Sequence, residues 1–256
     1  MLEAQHLIKR FFGATVVDDV SLAVRRGEIV GYLGPNGSGK TTTVRMLTGL
    51  LETTSGSVRF EGRDIAENPI AFRRHLGYVP EEPHLYPFLS GKEHLELVGR
   101  LRDMPAAPLE RKIGALLELF GLSAAAEQSI GSYSKGMKQK ILIIAALLHD
   151  PDVVIFDEPD SGLDVTTILV LRHLVRTLAD RGKAILYSSH VLEVVERLCT
   201  RVVVLHRGRA VADDSVAGLR DLMATRSLEE VFAQLVLRED PERTARDIAD
   251  VLTVHA

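Results

Sequence analysis

Residues 34–41 read Gly-Pro-Asn-Gly-Ser-Gly-Lys-Thr and fit the pattern G-x-x-x-x-G-K-[ST]. They follow an apolar run, Ile29–Leu33, that predicts a buried strand, and they open a helix-like stretch, Thr41–Leu50. In such a phosphate loop the glycines let backbone N–H groups turn inward around a polyphosphate, and the helix dipole favours its charge. The alternative is a glycine-rich turn that only starts a helix. The strand before the loop and the helix after it favour nucleoside triphosphate binding.

The loop also supplies side chains for the phosphates and for a metal ion. We expect Lys40 to reach the β- and γ-phosphates and Thr41 to ligate Mg²⁺ through its hydroxyl. Further contacts with the nucleotide are expected from the rest of the loop, namely Gly34, Asn36, Gly37, Ser38, Gly39 and Thr42.

Composition limits the possible functions. The chain has 256 residues, 46% of them hydrophobic and 26% charged, as is usual for a globular protein. Its net charge of −4 provides no broad basic field, so no nucleic-acid partner is expected. A single cysteine, Cys199, excludes an internal disulfide and fits a reducing compartment. No signal peptide is expected, and the longest apolar run, Ile141–Leu148, is too short to span a membrane.

The pattern along the chain predicts an α/β fold. Val20, Leu22 and Val24 alternate with more polar residues, which indicates a half-buried strand before the phosphate loop. Continuous apolar runs, typical of buried parallel strands, alternate with helical patterns, so a ligand is expected at the carboxyl ends of the strands. These runs are Ile29–Leu33, Val153–Phe156, Ala184–Tyr187 and Val202–Leu205.

A helical segment interrupts this alternation. Residues 90–148 contain three helical patterns and no convincing strand, which predicts an inserted helical subdomain. We assign 1–88 and 150–223 to the ATP-binding α/β core, 89–149 to the helical subdomain and 224–256 to a helical C-terminal extension. A short acidic turn is expected after Val211. A capping box is expected at Ser227 and Glu230, and a last helix at Asp240-Pro241.

Three further segments carry polar groups that suit phosphate chemistry. Asp157 and Glu158 end an apolar strand, where one carboxylate can hold Mg²⁺ through water and the other can deprotonate an attacking water. The alternative is two solvated acids. His190 follows another buried strand and can donate to a γ-phosphate oxygen, although a lone histidine is usually structural. Ser134 precedes a helix; it is either an ordinary N-cap or part of an anion site.

These pieces, in this order, resemble the nucleotide-binding subunit of ATP-binding cassette (ABC) transporters, over Leu2 to about Leu237. The phosphate loop is GPNGSGKTT, the signature sequence is similar to residues 133–139, and the Walker B strand is similar to residues 153–158. Residues 161–164 resemble the loop that crosses between subunits and ends at Asp164, and His190 matches the switch histidine. Phe12 falls where the family places an adenine-stacking aromatic, with Phe11 as the alternative.

The resemblance implies a specific architecture and mechanism. The fold would be α/β, a P-loop ATPase core with a mostly parallel sheet, an N-terminal antiparallel β-subdomain and an inserted helical subdomain. ATP and Mg²⁺ would be the cofactors, with Mg²⁺ held by Thr41 and Asp157. Glu158 would be the general base and His190 would position the γ-phosphate. Each ATP would lie between one subunit's phosphate loop and the Ser134 and Gly136 of another, in a homodimer or heterodimer.

The same resemblance implies a membrane partner. A membrane-spanning permease subunit would receive the mechanical output through the groove near Glu81–Phe88, and this chain would lie peripherally on the cytoplasmic face of the membrane. Three residues depart from the family pattern. Glu81 replaces the usual Gln and can still ligate Mg²⁺. In the signature, Lys135 replaces the common second-position Gly, where we expect it to face a triphosphate, and Met137 replaces Gln. These variants and the tail helix 227–232 favour an exporter.

Three other classes remain open at this point. One is a soluble ABC-type ATPase that acts on DNA or the ribosome, although such relatives usually carry two cassettes or long insertions. Another is a P-loop kinase, which would leave residues 133–139 and Glu158 unexplained. The last is a regulatory subunit that binds ATP and hardly hydrolyses it, which the changes at Glu81 and Lys135 would permit.

Overall fold

Two sheets and the helices around them make up the structure, a computed structural model that describes residues 1–223 and 227–236. The strands are β1 Leu2–Phe11, β2 Ala14–Val24, β3 Ile29–Leu33, β4 Ser55–Phe60, β5 Arg63–Asp64, β6 Leu76–Val79, β7 Val153–Asp157, β8 Ala184–Ser188, β9 Arg201–His206 and β10 Arg209–Ser215. The helices are α1 Lys40–Leu47, α2 Pro69–Arg73, α3 Gly91–Arg100, α4 Ala106–Leu119, α5 Lys135–Leu147, α6 Val165–Asp180, α7 Leu192–Leu198, α8 Val216–Met223 and α9 Leu228–Val236.

The larger sheet has the strand order β10-β9-β3-β8-β7-β6, and all its neighbouring pairs are parallel except β9 and β10. Every residue of β3, β7 and β8 is buried, because side chains on both faces pack against other elements. This burial is why these strands read as continuous apolar runs. The smaller sheet, β2-β1-β4-β5, is antiparallel and alternates buried with exposed positions along β2.

The helical segment between β6 and β7 has its own core. Helices α3, α4 and α5 pack around a cluster that includes Leu95, Ile113 and Ile141. A capping box starts α3, in which the Ser90 hydroxyl accepts from the Glu93 backbone N–H and the Glu93 carboxylate accepts from the Ser90 N–H. The predicted fold class is therefore confirmed, including the antiparallel N-terminal sheet and the helical insertion. The division of the chain at residues 88, 149 and 223 stays a prediction.

Several predicted elements have different limits or a different identity. The acidic turn expected after Val211 is wrong, because Asp213 and Asp214 lie in β10, paired antiparallel with β9. The guanidinium of Arg201 on β9 binds the Asp213 carboxylate, which explains how acidic residues are accepted in this edge strand. Strands β1 and β6 were not predicted. The helix expected at Asp240-Pro241 lies outside the described residues.

The end of the described chain packs back onto the core. Leu228 and Val231 of α9 are fully buried, and Phe232 packs against the same core cluster. Ser227 caps α9, since its hydroxyl accepts from the Glu230 backbone N–H at 3.3 Å. Among residues 1–223 and 227–236, no helix is both long and apolar enough to cross a bilayer.

Candidate functional site

Four adjacent strands of the larger sheet bring the polar loops together. Strands β3, β8, β7 and β6 are neighbours and parallel, so their carboxyl ends lie at one edge of the sheet. The phosphate loop follows β3, His190 follows β8, Glu158 follows β7 and Glu81 follows β6. Segments far apart in sequence therefore meet at this edge.

They line a cavity of about 420 Å³. The lining combines backbone and side chains of the phosphate loop with carboxylates, one imidazole and one lysine, which suits a charged ligand with a bound cation. The lining residues are Val16, Pro35, Asn36, Gly37, Gly39, Lys40, Thr41, Thr42, Glu81, Asp157, Glu158 and His190.

The glycines of the phosphate loop are required by its shape. Gly37 and Gly39 have positive φ angles of 77° and 102°, a region that disfavours side chains. A Cβ atom on the buried Gly34 would lie 2.5 Å from both the Leu205 carbonyl oxygen and the Ser38 hydroxyl oxygen. Gly39 is the N-cap residue of α1 and makes no side-chain hydrogen bond there. No capping side chain therefore occupies the first N–H groups of this helix. Gly34 and Ser38 support the loop from inside and do not line the cavity.

Lys40 closes the loop on itself. Its ammonium group donates to the Gly34 and Pro35 carbonyl oxygens at 2.5 and 3.3 Å. Burial lowers the pKa of Lys40, whereas the charges of Glu158, Asp157 and Glu81 oppose that shift. The lysine is therefore a cation held beside carboxylates, where an anionic ligand would find a positive partner.

Asp157 lies deepest in the cavity. It is 1% exposed, and its Oδ2 atom has no hydrogen-bond partner within the part of the chain that the structure describes. Burial, together with the nearby Glu81 and Glu158 carboxylates, raises the pKa of Asp157 to about 6. An orphaned buried carboxylate oxygen fits a divalent cation, which would remove this penalty.

The donor set around Asp157 suits Mg²⁺ rather than a metal that proteins enclose completely. Within the described residues, no group of three or more His, Cys, Asp or Glu side chains could hold a metal ion alone. Mg²⁺ usually keeps several waters and takes one or two protein oxygens plus phosphate oxygens. Thr41 and Glu81 also line the cavity and could add oxygen ligands.

The raised pKa of Asp157 predicts a stability effect. The Asp157 carboxyl loses its proton near pH 3.8 in the unfolded chain but keeps it up to about pH 6 in the folded state. The wild type therefore loses stability as the pH rises from about 4 to about 6. Replacing Asp157 by Asn should stabilise the nucleotide-free protein by about 2 kcal/mol at neutral pH. Thermal unfolding should show a Tm about 5 °C higher at neutral pH and no gain at about pH 4.

The same variant should lose stabilisation by the ligand. Magnesium and ATP together should raise the Tm of the wild type more than that of Asp157→Asn, because Asn is a weaker ligand for a hard cation. A less stable variant at neutral pH would contradict the assigned burial cost of Asp157.

Glu158 and His190 form a pair at the mouth of the cavity. The His190 Nδ1 atom lies 2.7 Å from Glu158 Oε2, with the Glu158 side chain 13% exposed and the His190 side chain 74% exposed. The backbone of Glu158 has a φ of 49°, an uncommon value for a residue other than glycine, and its N–H donates to the Ser188 carbonyl oxygen. A carboxylate fixed in this way can accept a proton, and the histidine can orient it.

Phe12 does not line the cavity. It lies between β1 and β2 with a φ of 48°, and its side chain is fully exposed. Phe11 is partly covered, since the Lys9 ammonium lies 5.1 Å from the centre of its ring. Phe12 is thus the aromatic with a free ring face, and its role in stacking a base stays a prediction.

Ser134, Gly136 and Asp164 lie in a second group away from the cavity. Ser134 caps α5, with its hydroxyl accepting from the Met137 N–H at 3.2 Å, and Asp164 caps α6 by accepting from the Thr167 N–H at 2.9 Å. A Cβ atom on Gly136 would lie 2.6 Å from the Gly162 carbonyl oxygen. None of the three lines the cavity, so one chain does not bring the two groups together.

One residue of the cavity, Val16, had no signal in the sequence. Val16 of β2 passes over the phosphate loop, and a Cβ atom on Gly39 would lie 2.8 Å from its carbonyl oxygen. Pro35 lines the cavity as part of the loop itself. The antiparallel sheet, rather than any local pattern, brings β2 to this place.

Comparisons with known proteins agree with this geometry. The family model described as "ABC transporter" matches residues 17–161. The chain is 36% identical over 223 residues to the ABC transporter ATP-binding protein NatA of Bacillus subtilis, covering 87% of this chain and 91% of that protein. It is 37% identical to the Nod factor export ATP-binding protein I of Ralstonia nicotianae over 83% of this chain and 66% of that protein.

Solved structures give the same result. A structure described as the ATP-binding subunit of an ABC transporter superimposes with a TM-score of 0.87 at 36% identity, over 91% of this chain and 98% of that one. The ATP-binding cassette MJ0796, solved as a dimer in a post-hydrolysis state with ADP and phosphate, has a TM-score of 0.77 at 23% identity, over 84% of this chain and 98% of that one. At that identity the second likeness concerns the fold alone.

Proposed function

This chain belongs to the ABC transporter family as an ATP-binding protein, and from that premise we propose that it hydrolyses ATP with Mg²⁺ to drive transport through a separate membrane-spanning permease. The observation that carries the proposal is the single cavity that joins Lys40, Asp157, Glu158 and His190. It combines a phosphate cradle, an orphaned carboxylate oxygen and a carboxylate paired with a histidine.

Six side chains of this cavity have a proposed chemical task. Lys40 and the N–H groups at the start of α1 bind the β- and γ-phosphates. Thr41 and Asp157, with Glu81 nearby, would hold Mg²⁺, which would supply positive charge beside the phosphates. Glu158 accepts a proton from the attacking water, and His190 positions Glu158 and the γ-phosphate relative to each other.

The second half of the site would come from another subunit. The cavity is open to solvent, and Ser134 and Gly136 lie outside it at the first turn of α5. A helix start with free N–H groups is an anion site, so it would complete the surroundings of the γ-phosphate on a neighbouring chain. Two copies, or this copy and a related chain, would therefore close over ATP, and Asp164 would lie near the contact.

A groove beside α3 is the proposed contact for the permease. It has a volume of about 510 Å³ and lies between the core and the helical segment. Its rim includes exposed Leu50, Ile70 and Leu101, and no carboxylate lines it among the described residues. None of residues 81–88 lines this groove, although Tyr86 and Phe88 are exposed in the segment before α3. An amphipathic segment of the permease would cover this surface at the cytoplasmic face of the membrane.

We further propose that the transporter is an exporter. The support is the relative named for Nod factor export and a second relative of B. subtilis, 35% identical, named for linearmycin resistance. Export by the reconstituted complex, measured in inverted vesicles supplied with ATP, tests this point.

Ser134 offers a test of the shared site. Replacing it by Asp preserves an N-cap for α5 but puts a negative charge at the proposed anion site. We expect ATP hydrolysis to fall at least about tenfold, since a like charge would face the γ-phosphate, while the isolated monomer binds ATP as the wild type does. Turnover and ATP titration of the monomer measure the two effects. Collapse of monomer binding would show that Ser134 belongs to the first half of the site.

A further inference from the structure

The start of α5 is in direct contact with the loop that follows Glu158. The Lys135 ammonium group donates to the Ser161 hydroxyl oxygen at 2.7 Å. The aliphatic part of Lys135 lies against Gly162, where an added Cβ atom would be 2.8 Å from Lys135 Cγ. On the other side, a Cβ atom on Gly136 would lie 2.6 Å from the Gly162 carbonyl oxygen. Gly136 thus has no room for a side chain because of the Gly162 backbone, and Gly162 has none because of the Lys135 side chain.

A buried hydrogen bond strengthens this contact one turn further along α5. The amide group of Gln139 donates to the Pro159 carbonyl oxygen at 3.1 Å, and Gln139 is 1% exposed. Unlike the exposed Lys135 bond, this one is shielded from water. Helix α5 thus holds residues 159–162 at two points.

The opposite side of the same loop is fixed to the central sheet. The Tyr187 hydroxyl donates to Asp160 Oδ1 at 2.7 Å, and the Arg172 guanidinium lies 3.7 Å from Asp160 Oδ2. Tyr187 is on β8, three residues before His190, and Arg172 is on α6. The loop 159–162 therefore connects the start of α5 with the two strands whose ends carry Glu158 and His190.

Lys135 binds within its own chain here, and the expectation that it faces a triphosphate of a neighbouring chain stays a prediction. Its ammonium group binds a hydroxyl of its own chain, and the hydroxyl belongs to the loop that begins directly after Glu158. We propose that Lys135 is a positioning residue. When the start of α5 contacts a nucleotide bound to a neighbouring chain, Lys135 passes the displacement through residues 159–162 to Glu158 of its own chain. The inference rests on the proposed site shared between two subunits.

Coupling of this kind has a physical basis in the loop. Because Glu158 has a positive φ and Gly162 has a φ of 79°, a small displacement at Ser161 changes the backbone on which the Glu158 carboxylate depends. The Lys135 bond is charge-assisted but exposed, so it can break and re-form during a cycle. A nucleotide bound at one site would then favour hydrolysis at the other site. The hydrolysis rate would therefore depend cooperatively on the ATP concentration.

The test uses the whole chain described by the sequence, four variants and one control variant. Lys135→Met keeps the packing on Gly162 and removes the donor, Ser161→Ala removes the acceptor, and the double variant removes both. Lys135→Arg restores a donor. Lys92→Met is the matched control, since Lys92 also makes an exposed bond, 3.0 Å to Glu127, within the helical segment.

We expect Lys135→Met to lower kcat about fivefold, in line with one charge-assisted hydrogen bond, and to bring the Hill coefficient towards one, with unchanged ATP affinity of the monomer. Ser161→Ala should match it, and the double variant should be no worse than either single variant. Lys135→Arg should recover most of the rate, and Lys92→Met should behave as the wild type.

A second measurement does not depend on hydrolysis. In the Glu158→Gln background, ATP with Mg²⁺ should protect the amides of residues 160–163 from hydrogen exchange, and Lys135→Met should reduce that protection. Wild-type cooperativity and protection in Lys135→Met, or additive effects in the double variant, would overturn the role of Lys135. Failure of Glu158→Gln to form an ATP-dependent dimer would instead refute the shared site.

Discussion

Replacing Glu158 by Gln is expected to slow ATP hydrolysis about a thousandfold, while ATP binding is retained. Glutamine has nearly the same shape but cannot accept the proton of the attacking water. It also removes one negative charge beside Asp157, so the triphosphate meets less repulsion. Phosphate release measures the first effect and titration with ATP the second.

The same variant should accumulate in the ATP-bound dimer, because the bridging γ-phosphate is no longer cleaved. Size-exclusion chromatography with light scattering should give a dimer with ATP and Mg²⁺ and a monomer with ADP. Glu110→Gln is the control, since Glu110 is an exposed residue of α4. Turnover at the wild-type rate would exclude Glu158 as the base, and fast turnover by monomers would exclude the shared site.

Replacing Lys40 by Ala is expected to weaken ATP binding by about 10- to 100-fold and to abolish hydrolysis, because charge-assisted hydrogen bonds to the phosphates are lost. The ammonium group is half-buried in the cavity and burial already lowers its pKa, so its positive charge is costly without an anion. Removing it should therefore leave the thermal stability of the nucleotide-free protein nearly unchanged. Calorimetric titration and thermal unfolding measure the two quantities on one sample.

Lys183→Ala provides the control for Lys40→Ala. Lys183 also donates to a backbone carbonyl oxygen, that of Asp150, but it precedes β8 at the opposite end of the sheet. This variant should bind ATP with wild-type affinity. Wild-type affinity in Lys40→Ala would contradict the phosphate-loop assignment.

The central sheet could be predicted because its strands are buried on both faces. Ile29–Leu33 is a strand with the predicted limits, and the other three predicted runs differ from the observed strands by one residue at one or both ends. Strand β6 was missed because it is four residues long and contains a glycine. Strand β10 was missed because its acidic residues read as a turn, and only pairing with β9 and Arg201 explains them.

For the candidate site, the sequence indicated residues and the edge of the sheet where a ligand is expected, but not which of these residues line the cavity. The phosphate loop, Asp157, Glu158 and His190 each follow an apolar strand, and the strand order places them at one cavity. No local pattern shows that Lys135 turns to Ser161, since the two residues are 26 positions apart. The long, flexible side chain of Lys135 takes its direction from its neighbours, and the expectation that Lys135 faces a triphosphate stays a prediction.

The phosphate loop, the strand-end acids and the apolar runs are local chemistry, so the order of residues alone determines the fold class and the kind of ligand. Which loops share a cavity, which glycines lack room for a Cβ atom and where Lys135 is bound depend on contacts between distant segments. Those contacts exist only once β3, β8 and β7 have paired and α5 has packed beside them. Tertiary structure therefore decided how the parts of the site are divided between the cavity and the first turn of α5.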